Sequence, residues 1–441
     1  MDVIRITAAF GKQVVLPTKQ HLVVIGRDAR PSGVMISQLV AGTLQSLGID
    51  VIDLGLSTTP SVALAVPQLQ ASGGIVITAS HNPSEWNALK LLNQHGEYIS
   101  AVTAQQVFQL AAEDNPTFVI ADQVGKYIAQ AGGYINQHIE QILALPLVDK
   151  RAIRRRKLRV VVDAVNSTGG LAVPPLLQAL GIDYMLLYGD PTGVFAHDPE
   201  PTTQNLGTLM ATLQQGGYDL GIAVDPDVDR LVIVDEQGEP WGEDYTLVAV
   251  ADYVLRHTPG NTVSNLSSSS VLQVVTAQHG GTYTPCPVGE MYIVAQMKAT
   301  NAVIGGEGNG GVIYPPLHYG RDALVGIALL LAHLAQSGMT ASQLRQTYPT
   351  YVMHKTKLRL TPELDAATIL AAVQHKYQAY PINTAEGLKV TLADGWFHLR
   401  QSNTEPIIRL HVEGHNEHKA KQMAMEVLQT IQQEFPSMRI V

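Results

Sequence analysis

The chain has 441 residues, of which 46% are hydrophobic and 15% charged, with a formal net charge of −9. It is too long for one ordinary core and too apolar to be disordered, so two to four domains are expected. The acidic balance excludes general affinity for nucleic acid or a membrane surface. No apolar run has membrane length and no signal peptide is visible, so the expected location is cytoplasmic. The single Cys286 excludes an intramolecular disulfide and a cysteine metal cluster.

Taken in order, VIRITAAFGKQVV reads as an amphipathic helix already under way, with only Asp2 to cap it. LVVIGRDARPSG (22–33) is a strand running into a polar loop bounded by Gly and Pro, and a helix follows to about Leu47. GIDVIDLG (48–55) is a second strand and SVALAVPQL a second helix. Ile75-Val76-Ile77 is a short buried strand that opens into Thr78-Ala79-Ser80-His81-Asn82-Pro83. Pro83 forbids helix or regular pairing there and biases Asn82 toward an extended shape, which places Ser80 on a stiff loop at the carboxyl end of a strand. Lys90 is close enough in sequence to fold back on that loop. A serine held beside a histidine and a lysine can be a nucleophile that is covalently modified, or simply a turn serine capping a helix. AVTAQQVFQLAAED is helical, and the basic run RAIRRRK (151–157) is a solvated domain junction.

The order then recurs. LRVVVDAVNSTGG (158–170) is a strand with a Gly-rich loop, VPPLLQALG is helical, and YDLGIAV (218–224) is a strand that empties into DPDVDR. A third round runs from NTVSNLSSSS (261–270) to NAVIGGEGNGG (301–311). Three α/β units are expected, each ending in a strand that delivers a polar loop: Ser80, Asp225–Arg230 and Glu307–Gly311. From about residue 353 the character changes. KTKLRLTPELD looks like a linker strand, LKVTLAD, WFHLRQSNTEP and IIRLHVEG are strands, and Asn416 caps an amphipathic helix. This is a small α+β domain.

The loops carry the chemistry. Asp225, Asp227 and Asp229 alternate, and period-two spacing beyond a strand turns all three to one side. Converging carboxylates call for a cation, and hard oxygen ligands favour Mg²⁺. Glu236 at the twelfth position mimics a calcium loop, but Arg230 stands where that loop needs glycine and the flanks are strands. A solvated acidic turn is the alternative. In Gly306-Glu307-Gly308-Asn309-Gly310-Gly311 the glycines permit close approach to a ligand, and Glu307 and Asn309 can hold sugar hydroxyls. Arg400, Ser402, Asn403 and Thr404, with Arg409, have the composition of a phosphate cradle. Together these argue for phosphoryl transfer on a small phosphorylated polyol.

TASHNP, DPDVDR, GGEGNGG and RQSNTEPIIR, in this order over nearly the whole chain, resemble the α-D-phosphohexomutase superfamily, which includes phosphoglucosamine mutase, phosphomannomutase and phosphoglucomutase. The resemblance implies an α/β fold: three similar mixed-sheet α/β domains plus a smaller C-terminal α+β domain around a central cleft. Expected boundaries are 1–150 with the phosphoserine loop, 151–256 with the metal loop, 257–355 with the sugar loop and 356–441 with the phosphate loop. It implies that Ser80 carries a phosphate in the active form, with Mg²⁺ held by Ser80, Asp225, Asp227 and Asp229. The phosphoserine donates to a hexose monophosphate, and a hexose 1,6-bisphosphate, the activator, turns over in the cleft. His81 and Lys90 are the catalytic companions of Ser80, with Lys90 a general acid/base. Arg230, Glu307, Asn309, Arg400, Ser402, Asn403, Thr404 and Arg409 bind the substrate, a small phosphosugar; no nucleic acid or membrane partner is expected. Phosphoglucosamine mutase is the leading expectation and phosphomannomutase/phosphoglucomutase the alternative.

The chain departs from the superfamily pattern in three places. Relatives carry a strand with an Arg-Gly motif near the serine, and nothing before GRDARPSG matches it. Arg5 lies in VIRI, similar to the helix after that strand, so a catalytically impaired sugar-phosphate binding protein is a further reading. Asn309 and Gly311 replace a serine and a histidine of many members. Glu290-Met291 follows Val288-Gly289, where many relatives carry a basic residue.

Overall fold

The structure, a computed structural model, describes residues 2–113, 117–130, 133–360, 365–402, 406–435 and 438–440. Three sheets share one plan. In the first, Leu22–Arg27 lies between Asp50–Leu56 and Gly73–Ile77, parallel to both, and Leu89–Asn93 runs antiparallel to Gly73–Ile77. In the second, Arg159–Asp163 lies between Asp183–Leu187 and Leu220–Val224, with Leu231–Asp235 antiparallel at the edge. In the third, Asn261–Asn265 lies between Tyr283–Cys286 and Ala302–Glu307, with Gly311–Ile313 antiparallel. The strand order is second, first, third, fourth each time, and the first sheet adds Tyr127–Ala129 beyond its second strand. The three polar loops therefore occupy one topological position, the hairpin joining the third strand to the antiparallel fourth. The pattern repeat in the sequence is a repeat of topology.

The central strands are apolar on both faces because helices cover both: Val160, Val161 and Val162 are fully buried. The expected first helix spans Asp2–Phe10, continues as a π-helical turn over Gly11–Val15, and buries Phe10 and Val15. It lies on the first sheet where Gly73 has no side chain; a Cβ there would stand 2.9 Å from Phe10 Cζ. Arg5 faces solvent. Helix Ala323–Ser337 is buried from Ala323 to Leu334, and its residues join one core with those of both the second and third units. Truncating Leu330 to Ala there would cost about 2–5 kcal/mol. That shared core fixes the relative placement of the Asp225–Arg230 and Glu307–Gly311 loops.

The fourth unit corrects one expectation. Val352–Arg359 is not a linker; all eight residues pair antiparallel with Ile407–Gly414 inside a six-stranded sheet. The alternation in KTKLRL is the period of a half-buried strand, with Leu358 in the core and Lys355, Lys357 and Arg359 exposed. Residues 361–364 of the same segment lie outside the described residues. Helix Glu417–Glu434 covers one face of the sheet, and Asn416 caps it by accepting from the Lys419 N–H at 2.9 Å.

Candidate active site

Ser80 follows the strand Gly73–Ile77 and adopts a left-handed backbone, φ +50°. Two contacts hold it there. Thr78 Oγ1 accepts from the Ser80 N–H at 2.9 Å, and Arg30 Nη2 donates to the Ser80 carbonyl at 2.5 Å. Arg30 is fully buried, and it also donates to the carbonyls of Asn82, Pro83 and Trp86 at 2.6, 2.6 and 3.0 Å. Asp28 anchors that guanidinium through Nε at 3.0 Å. The stiffness expected from Pro83 is thus supplied largely by one arginine threaded under the loop.

Ser80 Oγ donates to Asp225 Oδ2 at 2.6 Å. Asp225, Asp227 and Asp229 are fully buried, and one carboxylate oxygen from each lies within 4.8 Å of the others. The convergence does not come from period-two alternation. Residues 225–230 turn back at Val228, which has φ +62°, and the Val228 N–H donates to the Asp225 carbonyl at 3.1 Å. Asp225 Oδ1 then accepts from the N–H groups of Asp229 and Arg230, so the turn itself points the three carboxylates inward. Glu236 accepts from the Ser342 N–H at 3.0 Å, beyond Asp235, which pairs with Leu220 at the opposite end of the hairpin. No calcium loop forms.

The electrostatics of the cluster are those of a group that could hold a cation. Asp227 Oδ1 and Asp229 Oδ1 are buried with no hydrogen-bond partner among the described residues. Burial and the two neighbouring carboxylates push Asp225 well above the ordinary range. Burial also opposes the charge of Asp229, but Arg321 and Lys90 outweigh it and hold that group low. Two orphaned carboxylate oxygens beside a third acid fit a hard divalent ion.

Lys90 sits on Leu89–Asn93, paired across from Val76, and its Nζ reaches Asp227 at 2.5 Å and Asp229 at 2.7 Å. Burial opposes its charge, yet the two aspartates hold the ammonium well above its usual pKa. His81 Nδ1 is 3.4 Å from Ser80 Oγ, and burial, with Arg230 adding to it, pushes the imidazole down to about 3. The ring is neutral near pH 7.

The third loop carries Glu307 and Asn309. Gly310, with φ +91°, is required: a Cβ there would stand 2.3 Å from the Leu231 carbonyl, and the Leu231 N–H donates to the Gly310 carbonyl at 3.1 Å. The Glu307–Gly311 loop is thereby locked onto the strand that follows the aspartates. On the fourth unit Arg400 and Arg409 face each other across adjacent strands, and Arg400 Nη1 is 3.6 Å from Glu386. Ser402 is buried, and Asn403 and Thr404 lie outside the described residues. A cleft of about 600 Å³ brings the four units together, with His81, Lys90, Arg230, Glu307, Asn309, Arg400 and Arg409 on its walls.

Two arginines were not legible as site residues. Arg30 was read only as part of a polar loop. Arg321 is buried and engages three carboxylates: Nη2 to Asp229 at 2.8 Å, Nε to Glu290 at 2.9 Å and Nη1 to Glu307 at 2.7 Å. It ties the aspartate loop to the Glu307 loop, and it explains the acidic residue after Gly289, since Glu290 is its counter-ion. The available signal for Arg321 was a repeated tetrapeptide, GRDA at 26–29 and again at 320–323; the first copy holds Arg27 and stops one residue short of Arg30.

Family models described as phosphoglucomutase/phosphomannomutase alpha/beta/alpha domains I, II and III match residues 2–117, 134–238 and 242–351, and the C-terminal domain model matches 356–430. A phosphoglucomutase/phosphomannomutase of Thermococcus kodakarensis is 36% identical over 95% of this chain and 92% of its own. A phosphoglucosamine/phosphogalactosamine mutase of Sulfurisphaera tokodaii is 31% identical over 94% of this chain and 92% of its own. The crystal structure of a phosphoglucomutase/phosphomannomutase family protein from Burkholderia thailandensis superposes with a TM-score of 0.86 at 26% identity, covering 99% of this chain and 94% of that one. With all four domains matched in order around one cleft, the chain belongs to the phosphoglucomutase/phosphomannomutase family of phosphohexomutases, which are isomerases.

Proposed function

We propose that the protein interconverts hexose 6-phosphate and hexose 1-phosphate through a phosphorylated Ser80 and a bisphosphate intermediate, with glucosamine phosphate the preferred substrate. The observation that carries this reading is the 2.6 Å contact of Ser80 Oγ with a buried aspartate triad, on one side of a cleft whose other side presents Arg400 and Arg409. A divalent ion, Mg²⁺ by the hardness of its oxygen ligands, would be held by Ser80, Asp225, Asp227 and Asp229, and would supply charge neutralisation for the phosphoserine. His81, neutral and 3.4 Å from Ser80 Oγ, supplies a hydrogen-bonding group there. Lys90, held charged by Asp227 and Asp229, serves as an electrostatic stabiliser and hydrogen-bond donor, its proton held too tightly for it to act as the general acid/base the resemblance implies. Glu307 and Asn309 grip sugar hydroxyls. Arg230 lines the cleft 4.0 Å from Glu200. Arg400, Arg409, Ser402, Asn403 and Thr404 hold the phosphate that is not being transferred.

Relatives named phosphoglucosamine mutase favour the amino sugar. The Thermococcus relative, named phosphoglucomutase/phosphomannomutase, favours the second reading, a glucose and mannose phosphate mutase. The deciding experiment is a mutase assay on the full chain with Mg²⁺ and glucose 1,6-bisphosphate, comparing glucosamine, mannose and glucose 1-phosphates. The expected result is the highest kcat/KM on glucosamine 1-phosphate. Turnover confined to the neutral sugars would transfer the assignment to the second reading, and binding without turnover on all three would leave a sugar-phosphate binding protein.

A further inference from the structure

The fourth sheet presents more to the cleft than the phosphate loop. Antiparallel register sets Arg400 opposite Arg409 and Lys357 opposite Arg409, and two residues along it sets His398 opposite His411 and Lys355 opposite His411. Residues directly opposite share a face, as do residues two apart on one strand. Two transverse basic rows therefore stand on one face. Of the first, Arg400 and Arg409 line the cleft; of the second, Lys355 and His411 do. The rows are separated by two residues of strand, about 7 Å.

The second row is poised for an anion. Lys355 Nζ rests on Glu243, at 3.1 Å, in a pair whose side chains are 52% and 31% exposed. Such an exposed pair is weak and gives way readily to a dianion. His411 Nδ1 is buried with no hydrogen-bond partner among the described residues. Burial, with Lys355 and Arg400 adding to it, pushes the ring down to about 3, so it meets an anion as a neutral hydrogen-bonding group.

We propose that Lys355 and His411 form a second phosphate subsite, one step along the sheet from Arg400 and Arg409, which keeps the hexose bisphosphate in the cleft while its two phosphates exchange places. The proposal rests on the mutase reading above. After the first transfer each phosphate must leave its position for the other's. A phosphate that leaves Arg400 and Arg409 for bulk water takes the intermediate with it. A second row within the same cleft, with the Lys355 ammonium as its charge and the His411 ring as a hydrogen-bonding group, gives it an intermediate position, and the bisphosphate stays bound.

The test compares the full-length enzyme with Lys355→Met, His411→Asn and the double variant, using glucose 1,6-bisphosphate and the hexose 1-phosphate that the unsubstituted enzyme turns over. The expected result is a rise of roughly tenfold or more in the bisphosphate concentration giving half-maximal rate in the double variant. Release of labelled hexose bisphosphate to solution during turnover should rise with it. Lys355→Arg should restore retention, since it keeps the charge, and melting temperatures should match across the set. A double variant with the original bisphosphate requirement and no added release overturns the subsite. So does one that loses turnover while its bisphosphate requirement stays put. Absence of turnover in the unsubstituted enzyme on all hexose phosphates would instead strike the mutase reading itself.

Discussion

Ser80 and Val228 are the two residues on which the site turns, and both hold a left-handed backbone that a side-chain-bearing residue adopts at a cost of about 1–3 kcal/mol. The surrounding hydrogen bonds over-determine both: Thr78 and Arg30 at the serine, and Asp225 with the Ala323 N–H at the valine. The cluster they assemble is charged well beyond what burial tolerates unless its partners are in place. Arg321→Met would strand Asp229, Glu290 and Glu307 without their shared counter-ion. The expected outcome is destabilisation by about 3–5 kcal/mol, read from urea unfolding, with Arg321→Lys recovering only part because an ammonium cannot span three carboxylates. Ser80→Ala is expected to abolish mutase turnover and leave the melting temperature within a degree or two of the parent. Substantial residual turnover would refute the nucleophile assignment.

Among the elements, the hairpins do the positioning. The serine loop is held by Arg30 across four carbonyls, so Arg30→Lys, which keeps the charge but loses the planar fork, should loosen it. Faster amide exchange confined to residues 78–88, together with a fall in kcat of roughly a hundredfold from misplacement of the serine, is the expected signature; unchanged exchange would show that Pro83 suffices. A second element, the start of helix Ala323–Ser337, joins three parts of the molecule. Asp322 caps it through the Leu324 and Val325 N–H groups and also meets His138 Nε2 at 2.8 Å and His318 Nε2 at 3.2 Å, while His138 Nδ1 lies 3.0 Å from Ser61 Oγ. Ser61, His138 and Asp322 have the residue types of a hydrolytic triad, but all three are fully buried and no substrate reaches them. They latch the first unit to the third. Burial opposes the Asp322 charge, yet the two histidines outweigh it and hold the carboxyl well below its ordinary value. A depressed carboxyl stabilises the fold fully above the ordinary pKa of about 3.9 and loses that contribution as pH falls toward its folded value. The stability difference between the parent and Asp322→Asn should therefore be present at pH 5 and shrink below pH ~4, measured by urea midpoints across pH.

For the whole molecule, the prediction concerns a cation bound between two units. The aspartates come from the second unit and Ser80 from the first, and the Thr59 N–H and side-chain hydroxyl of the first unit also bond the Asp227 carbonyl and carboxylate. An ion that binds only this folded arrangement adds about 2.7 kcal/mol at a hundredfold excess over its Kd. Mg²⁺ should raise the melting temperature, EDTA should reverse the rise, and Asp227→Asn should remove most of it. An equal Mg²⁺ response in that variant would mean that the aspartates form a structural turn with no ion.

Much of this was legible along the chain. Strand–helix alternation, the buried Ile75–Ile77 run, the amphipathic first helix and the Asn416 cap are local signals, because side-chain periodicity and capping are set by near neighbours. The serine, aspartate and glycine loops stood out because such residue types cluster where a ligand must be approached. KTKLRLTPELD was legible as a strand but not as part of the sheet, because a strand's place in a sheet depends on its partner, here Ile407–Gly414 far along the chain. The aspartates' convergence was expected, but its cause is a left-handed turn at a valine that no propensity favours. Arg30 and Arg321 were invisible as site residues because an arginine's role is set by which carbonyls and carboxylates surround it, and those come from distant parts of the chain. Sequence alone determined which elements form and which loops carry chemistry. Only the tertiary structure decided which charges meet, because burial and counter-ions are properties of the packed molecule.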